Sequence, residues 1–344
     1  MLVDDAILRE YTKVLEFCRG HRHALPEQLL QQAVDFQEGL WKTYCSLLRT
    51  IPLPIKGKTV VDFGCKYGHL LPLLVGLGAE TAIGIDAEEE YVRAGKLVFE
   101  DLYQNVRILE CESGHIPLQP DSVDICIMNE VVSHVNPSFL DRVWFEVSRI
   151  LKLDGVLFIS DGNNIAHPYP RRTLPDLYEK WENGPEGAAT DRGTVTRPFV
   201  VRRGEIIRQR HPQLLDDRIE YLAQNTSGLF GSYLEKAIDQ YVQSGQLIRR
   251  PYRRGICPTN PSCAGAVMER GVHPAYLELA LSEYGLEARS HLPESYQERT
   301  GLIDLAKGLA LSLRHHLRNL LMPGWERSAS PGFRIIAFKR RRDP

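Results

Sequence analysis

The segment Val60–Leu70 decides the fold of this 344-residue chain, and it reads VVDFGCKYGHL. Its apolar start predicts a buried strand that ends near Asp62. Gly64 and Gly68 then predict a tight turn, because glycine adopts backbone conformations that other residues rarely reach. The apolar residues that follow predict a helix whose first backbone N–H groups face the turn. A strand, a glycine turn and a helix in this order are typical of α/β nucleotide-binding proteins.

A second strand-like run, TAIGID, ends in another carboxylate, Asp86. In α/β nucleotide binders a carboxylate at the end of the second strand holds the ribose by its hydroxyls. The two strand ends together therefore predict a cofactor that contains adenosine. Three residues separate Gly64 from Gly68, whereas dinucleotide binders carry the spacing G-x-G-x-x-G. This difference disfavours a nicotinamide-dependent oxidoreductase, which remains the least favoured hypothesis.

Residues 62–68, DFGCKYG, resemble the first motif of the class I S-adenosylmethionine (SAM) methyltransferases. That motif places an acidic residue before three glycines at alternate positions. In this chain Lys66 replaces the central glycine. Further motifs of the family are similar, in the same order, to residues 110–118, 121–135 and 149–160. The resemblance covers about residues 57–165 and is strongest to the type 11-like small-molecule group.

The resemblance implies a Rossmann-like α/β fold with a seven-stranded, mostly parallel sheet and helices on both faces. Near-continuous apolar runs, as expected for strands covered on both faces, predict the first five strands near 59–63, 81–85, 106–109, 123–128 and 155–160. Two segments that follow glycines, 285–290 and 332–339, suit the last two strands, with the final strand antiparallel.

Four regions are expected along the chain. Residues 1–55 carry apolar residues at helical spacing and predict an N-terminal helical cap. Residues 56–165 form the SAM-binding core, and residues 271–344 complete it. Residues 166–270 exceed what a standard core needs at this point, so we expect a large insertion after strand five that acts as a substrate-recognition lid.

The resemblance implies S-adenosyl-L-methionine as the cofactor and assigns it to residues near the ends of the predicted strands. Asp62 would orient the first loop, Gly64 would admit the methionine end of the cofactor, and Asp86 would accept hydrogen bonds from the ribose hydroxyls. Glu112 and the Ser113 backbone would meet the adenine. The complete predicted set is Asp62, Gly64, Cys65, Gly68, Asp86, Glu112, Ser113 and Asn129.

Oxygen is the predicted methyl acceptor atom. Methyltransferases that act on planar nitrogens typically carry Asn/Asp-Pro-Pro-aromatic where this chain has Asn129 followed by EVV. An alcohol or phenol acceptor gains from a base that titrates near neutrality, which favours histidine. His134, Asp161 and His167 are the catalytic candidates. Two of them have a plain structural alternative: His134 could bond a neighbouring loop, and Asp161 could cap a turn.

The amino-acid composition limits the kinds of partner that the protein is expected to bind. Charged residues make up 25% of the chain and the net charge is −2, which gives no reason to expect nucleic acid. Seven cysteines without a framework predict reduced thiols in a cytoplasmic protein, and the wide spacing of Cys257 and Cys263 does not predict a metal site. Leucines between 302 and 321 recur every three or four residues among basic residues. This pattern indicates either a helix packed on the protein's own core or a peripheral membrane contact.

The leading hypothesis is a SAM-dependent O-methyltransferase that acts on a polar small molecule or a glycan. Paired arginines at 171–172, 202–203 and 249–254 would favour an anionic acceptor if they lie over the cleft, although a solvated surface is their ordinary role. The alternative is a non-catalytic regulator or scaffold with the SAM fold, which Lys66 in place of glycine supports. The sequence leaves the acceptor's identity and the oligomeric state open.

Overall fold

A computed structural model describes residues 2–111, 114–190, 193–195, 197–261, 265–291 and 325–341. Glu112, Ser113, Cys263 and the leucine-rich segment 302–321 lie outside the described residues, so neither interpretation of that segment is tested. The chain divides into two compact units. The first comprises Met1–Val131, Asp141–Gly162 and Pro274–Pro344, and the second comprises Val132–Leu140 and Asn163–His273.

A seven-stranded sheet forms the centre of the first unit. Its strands are β1 (Thr59–Phe63), β2 (Thr81–Asp86), β3 (Val106–Glu110), β4 (Val123–Asn129), β5 (Leu151–Asp161), β8 (Leu286–His291) and β9 (Phe333–Lys339). They are ordered β3-β2-β1-β4-β5-β9-β8, and β9 alone runs antiparallel to its neighbours. Buried aliphatic side chains on the first five strands explain why sequence patterns located them. The predicted fold class is confirmed, including the late antiparallel strand.

The N-terminal region is helical, as predicted. It contains α1 (Leu2–Gly20), α2 (Glu27–Asp35) and α3 (Trp41–Leu48), with a wide turn at Phe36–Leu40 that joins α2 to α3. Two side-chain hydrogen bonds tie these helices to the turn after β1. The Tyr11 hydroxyl donates to the carbonyl oxygen of His69 at 2.8 Å, and Nε2 of His69 lies 3.1 Å from the carbonyl oxygen of Leu29. Because the His69 ring is buried, desolvation lowers its pKa to about 4, and the ring stays neutral.

Four more helices cover the sheet: α4 (Leu71–Gly76), α5 (Glu89–Gly95), α6 (Pro137–Ile150) and α11 (Pro274–Glu283). Apolar residues of the sheet and of the helices α1 to α5 share one continuous core. In the described part of the chain, no helix combines the length and the apolar character that crossing a membrane requires.

The second unit is mostly helical. Its elements are α7 (Pro168–Asn183), β6 (Ala188–Thr190), β7 (Gly193–Val195), α8 (Phe199–Arg210), α9 (Asp216–Gln224) and α10 (Gly231–Ser244). Sequence patterns did not predict α7, because three of its residues are prolines. Pro168 and Pro170 lie in the first turn, where backbone N–H groups have no helical partner, so only Pro175 removes a hydrogen bond from the interior.

A buried ion pair lies inside the second unit. The guanidinium of Arg203 on α8 bonds the carboxylate of Glu182 on α7, and both side chains are at most 1% exposed. Nε of Arg203 also donates to the carbonyl oxygen of Ala223 at 2.8 Å, which links α9 to the pair. The ion pair therefore orients three helices, although its attraction must first offset the cost of removing both charges from water.

We expect Arg203→Met to lower the free energy of unfolding by about 3–5 kcal/mol, because it leaves Glu182 as an unpaired buried carboxylate. The double variant Arg203→Met, Glu182→Leu should recover most of that loss. Urea titration followed by circular dichroism measures both values. Arg208→Met is the matched control, since its pair with Asp216 is exposed and should contribute less than about 1 kcal/mol. A double variant as unstable as the single one would contradict this account.

Candidate cofactor and catalytic site

The turn after β1 closes against the end of β2. Backbone N–H groups of Gly64 and Cys65 both donate to the carbonyl oxygen of Ile85, at 2.7 and 3.0 Å. Gly64 has a φ of 77°, and a Cβ at this position would lie 2.5 Å from a methyl group of Val131. Only glycine satisfies both conditions. Glycine is therefore required here both by the turn and by the packing of Val131 against its backbone.

Lys66 occupies the position of the family's central glycine. Its φ is 53°, within the left-handed region that a non-glycine residue can occupy at a cost of about 1–2 kcal/mol. The ammonium lies 5.5 and 5.7 Å from the ring centroids of Tyr67 and Tyr91, which favours the charge through cation–π attraction. Burial nevertheless lowers the pKa of Lys66, against the attraction of Asp86. The turn thus tolerates lysine where the family has glycine.

Asp86 ties the two loops together at the end of β2. One carboxylate oxygen accepts the N–H of Lys66 at 2.7 Å, and the other accepts the N–H of Glu88 at 3.0 Å. A carboxylate offers about four acceptor sites, so room remains for two hydroxyl donors. Burial raises the pKa of Asp86, and the two backbone hydrogen bonds oppose that shift. This arrangement can hold a ribose while it keeps the turn closed.

Asp62 is the least compensated carboxyl at this edge. The side chain is buried, and no described residue donates a hydrogen bond to its carboxyl group. Burial, followed by repulsion from Asp86, raises its pKa to about 7. The pKa of Tyr44 on α3 is also raised. Burial is the main cause, and the negative charges of Asp62 and Glu130 add to it. Asp86 and Glu130, joined by Asp62 above about pH 7, thus place negative charge around the turn, which suits a cationic ligand.

Cys65 and Gly68 have structural roles in this turn. The Cys65 thiol is buried, and burial raises its pKa, so it is not a nucleophile. A Cβ on Gly84 of β2 would lie 2.7 Å from the Cys65 sulfur, so the small residue makes room for the thiol. The N–H of Gly68 donates to the carbonyl oxygen of Cys65 at 2.8 Å, and its φ of 99° turns the chain toward α4.

The loop after β3 is held in place by α6. Its predicted adenine-binding residues, Glu112 and Ser113, lie outside the described residues. The residues that follow them are clamped, because Glu146 accepts the N–H of Ile116 at 2.9 Å and Arg149 donates to the carbonyl oxygens of Ile116 and Leu118. Hydrogen bonds from Arg149 lower the pKa of Glu146 and keep it charged. Sequence reasoning missed this clamp.

The strands β4 and β5 end side by side. Asn129, the last residue of β4, pairs with Ser160 of β5. Glu130 follows with a φ of 54°, and its carboxylate accepts the N–H of Gly162 at 3.1 Å. Asp161 is 2% exposed at the end of β5. These contacts bring three acidic or amide side chains to the strand edge that also carries Asp62 and Asp86.

His134 belongs to the second unit and lies beside a carboxylate that sequence reasoning missed. Nδ1 of His134 lies 3.1 Å from the carbonyl oxygen of Val267, and Nε2 lies 3.7 Å from Oε1 of Glu269. Because a carbonyl oxygen only accepts, Nδ1 carries a proton in this arrangement. The other carboxylate oxygen of Glu269 accepts from the side-chain amide of buried Asn163. In the sequence, 132 residues separate His134 from Val267. No short motif could therefore reveal that His134 lies beside the segment that carries Glu269.

His167 caps a helix in the second unit. Its Nδ1 accepts the N–H of Tyr169 at 3.1 Å at the start of α7. The ring therefore has a structural role through Nδ1. The other ring nitrogen, Nε2, takes no part in the cap. The three predicted catalytic residues are thus divided, with Asp161 in the first unit and His134 and His167 in the second. Their catalytic roles stay predictions.

The described residues contain no group of three or more His, Cys, Asp or Glu side chains that could hold a metal ion. Six cysteines lie in this part of the chain, and all are free thiols. The sulfur of Cys257 lies 3.0 Å from the carbonyl oxygen of Met268, and burial raises its pKa to about 12. A neutral, hydrogen-bonded thiol is a packing group here.

Residues 61–159 match the family model described as a methyltransferase domain. Ribosomal protein L11 methyltransferase of Tolumonas auensis is 39% identical over 155 residues, which cover 44% of this chain and 49% of that protein. Ubiquinone biosynthesis O-methyltransferase of Glaesserella parasuis is 32% identical over 119 residues, which cover 33% of this chain and 49% of that protein. The chain spans about half the length of the curated relatives it matches.

Among solved structures, a SAM-dependent methyltransferase from Mesorhizobium loti is 14% identical, with a TM-score of 0.41, and the match covers 88% of this chain and 99% of that one. The matched family model spans the glycine turn and all residues through most of β5. The predicted resemblance to the class I methyltransferases is confirmed for this core.

The pKa of Asp62 makes stability depend on pH. In the unfolded chain this carboxyl ionises near pH 4, whereas in the folded chain it keeps its proton until about pH 7. The folded state therefore binds more protons between these values, and its stability should fall by a few kcal/mol as pH rises from 4 to 7. Asp62→Asn should remove this decline, as measured by urea titration across that range.

Asp124→Asn is the control with the opposite sign. Although burial acts to raise it, the pKa of Asp124 is lowered by the hydrogen bonds from Lys152 and the Thr59 N–H. The wild-type Asp124 carboxylate stabilises the fold above pH 4, so this variant should lose stability there. Identical pH profiles for wild type and Asp62→Asn would refute the raised pKa.

Proposed function

We propose that this chain, whose core is a class I SAM-dependent methyltransferase domain, transfers a methyl group from SAM to an oxygen atom of a polar small molecule or a glycan. The observation that carries the proposal is the sheet edge around the glycine turn, where β2, β1 and β4 are neighbours and Asp86, Asp62 and Glu130 lie at or just after their ends. SAM is a cation at its sulfonium and its ammonium. A dinucleotide brings a pyrophosphate dianion, which the carboxylates at this edge would repel.

Each part of the cofactor has a matching group in the core. The Asp62 carboxyl lacks a hydrogen-bond donor among the described residues, and an ammonium group would supply one. The turn at Gly64 is assigned to the methionine end, and Asp86 retains capacity for ribose hydroxyls. Asn129 ends β4 at the same sheet edge. Glu112 and Ser113 complete the predicted set at the adenine.

The cofactor supplies an activated methyl group: the acceptor oxygen forms the C–O bond, the electron pair of the C–S bond stays on sulfur, and the hydroxyl proton needs a base. His134 is the favoured base. Its Nδ1 is engaged by a carbonyl oxygen, which leaves Nε2 with the lone pair that accepts a proton. Absence of Pro-Pro-aromatic after Asn129 supports oxygen over planar nitrogen.

The insertion 166–270 is proposed as the acceptor-recognition region. Arg171, Arg250 and Arg253 are exposed, and none of them pairs with a carboxylate of the described residues. Unpaired arginines favour a polar or anionic acceptor. Relatives named for a protein acceptor and for ubiquinone biosynthesis both match the core, so the comparisons support methyl transfer without selecting an acceptor. A cytoplasmic location stays a prediction.

Calorimetric titration with SAM, S-adenosylhomocysteine and NAD tests the cofactor. We expect binding of the first two, and Asp86→Ala should weaken SAM binding by about 1–3 kcal/mol because the ribose loses a charged acceptor. Asp154→Ala is the matched control, since Asp154 is exposed and pairs with Arg340. Binding of NAD without SAM would overturn the proposal, and unchanged affinity in a folded Asp86→Ala variant would remove Asp86 from the site.

The proposed base predicts a kinetic effect. His134→Ala should lower turnover by about 10²–10⁴ while SAM affinity stays nearly unchanged, because the base acts on the acceptor. Release of S-adenosylhomocysteine, measured with catechol and glucuronic acid as acceptor probes, reports the rate. His211→Ala is a suitable control, since that imidazole pairs with Asp239 in a surface cluster. Full turnover by His134→Ala would show that positioning alone carries the reaction.

A further inference from the structure

The segment 267–272 connects the parts of the second unit that surround His134. The N–H of Val267 donates to the carbonyl oxygen of His134 at 2.8 Å, and the N–H of Arg270 donates to that of Ser133 at 2.7 Å. The N–H of Val272 reaches the carbonyl oxygen of Asn163 at 2.8 Å. Backbone hydrogen bonds on both sides thus fix the segment between residues 132–134 and residues 163–165. Glu269 lies in the middle of it.

The backbone and the side chain of Glu269 are both constrained. Its φ is 55°, a left-handed conformation that costs a residue with a Cβ about 1–2 kcal/mol. Its carbonyl oxygen accepts from the Tyr178 hydroxyl at 3.0 Å, and that hydroxyl accepts the N–H of Gly271 at 3.0 Å. The amide of Asn163 holds one carboxylate oxygen. The remaining oxygen is thereby directed at Nε2 of His134, 3.7 Å away.

The polarity of the histidine ring is fixed by these contacts. The proton on Nδ1 points to the carbonyl oxygen of Val267, so the neutral ring has its lone pair on Nε2. When Nε2 takes a proton, the imidazolium donates from Nδ1 to the carbonyl oxygen of Val267 and has the Glu269 carboxylate 3.7 Å from Nε2, close enough for charge attraction. The side chain of His134 is 36% exposed, so the ring is partly open to solvent.

We infer that Glu269 is a positioning residue for His134, which orients the ring and stabilises the imidazolium formed when Nε2 accepts the proton of an acceptor hydroxyl. This inference rests on the proposed methyl transfer, in which the acceptor oxygen bonds the methyl carbon and its proton must leave. Glu269 takes no proton itself. Asn163 acts one step further out, because it holds the carboxylate that faces the ring.

Charged and titratable groups other than Glu269 also lie near this histidine in the described part of the second unit. Arg270 is the neighbouring cation, and its guanidinium donates to the carbonyl oxygen of Val132 at 3.1 Å. Burial raises the pKa of Cys257 to about 12 and raises that of Tyr178 further, so both are neutral near pH 7. Glu269 is the carboxylate that faces Nε2 of His134, at 3.7 Å.

Nitrogen-15 NMR of the full chain labelled at histidine tests the inference, with His134→Ala used to assign the signal. The neutral ring of wild-type His134 should carry its proton on Nδ1. In Glu269→Gln, the pH at which His134 is half-protonated should fall by about 0.5–1 unit, because the carboxylate charge is lost. Glu220→Gln makes the same substitution on α9, where Glu220 contacts Gln224, and should leave the midpoint unchanged.

An unchanged midpoint in Glu269→Gln would overturn the inference, since a carboxylate that stabilises the imidazolium must shift the titration when its charge is removed. A wild-type ring protonated on Nε2 would overturn it without any variant, which covers the case in which Glu269→Gln does not fold. Calorimetry with SAM on the same samples separates the two proposals. A lowered midpoint without SAM binding refutes methyl transfer, whereas SAM binding with an unchanged midpoint refutes the role of Glu269.

Discussion

The hydrogen bond from the Lys66 amide to the Asp86 carboxylate is the contact on which the candidate cofactor site depends. It joins the turn after β1 to the end of β2, and the donation from Gly64 to Ile85 closes the same gap from the other side. Closure of the turn buries Asp62 beneath it and raises its pKa. One backbone conformation therefore sets both the shape and the electrostatics of this edge.

Concentrating carboxylates at one edge of a sheet disfavours folding, because each must leave water near another negative charge. The core offsets this cost through the shared apolar interior of the sheet and the N-terminal helices. A bound cation would relieve the repulsion, so the groups that weaken the empty fold are those that would hold SAM. Perturbed carboxyls in such an arrangement are a common feature of functional sites.

The second unit has a comparable organisation, in which one short segment orients distant parts of the chain. Residues 267–272 bond residues 132–134 and 163–165, and they bring Glu269 beside His134. These backbone contacts fix the segment beside the histidine proposed as the base.

The sequence by itself determined the sheet, because buried parallel strands need continuous apolar runs and a close turn needs glycine. It also located Asp62 and Asp86, since parallel strands bring their carboxyl ends to one edge. Tertiary structure decided what local patterns do not encode: helix α7 despite its prolines, the left-handed turn that accepts Lys66, and the contact of Glu269 with His134. That contact joins residues far apart in the chain, and only folding brings them within a few ångströms.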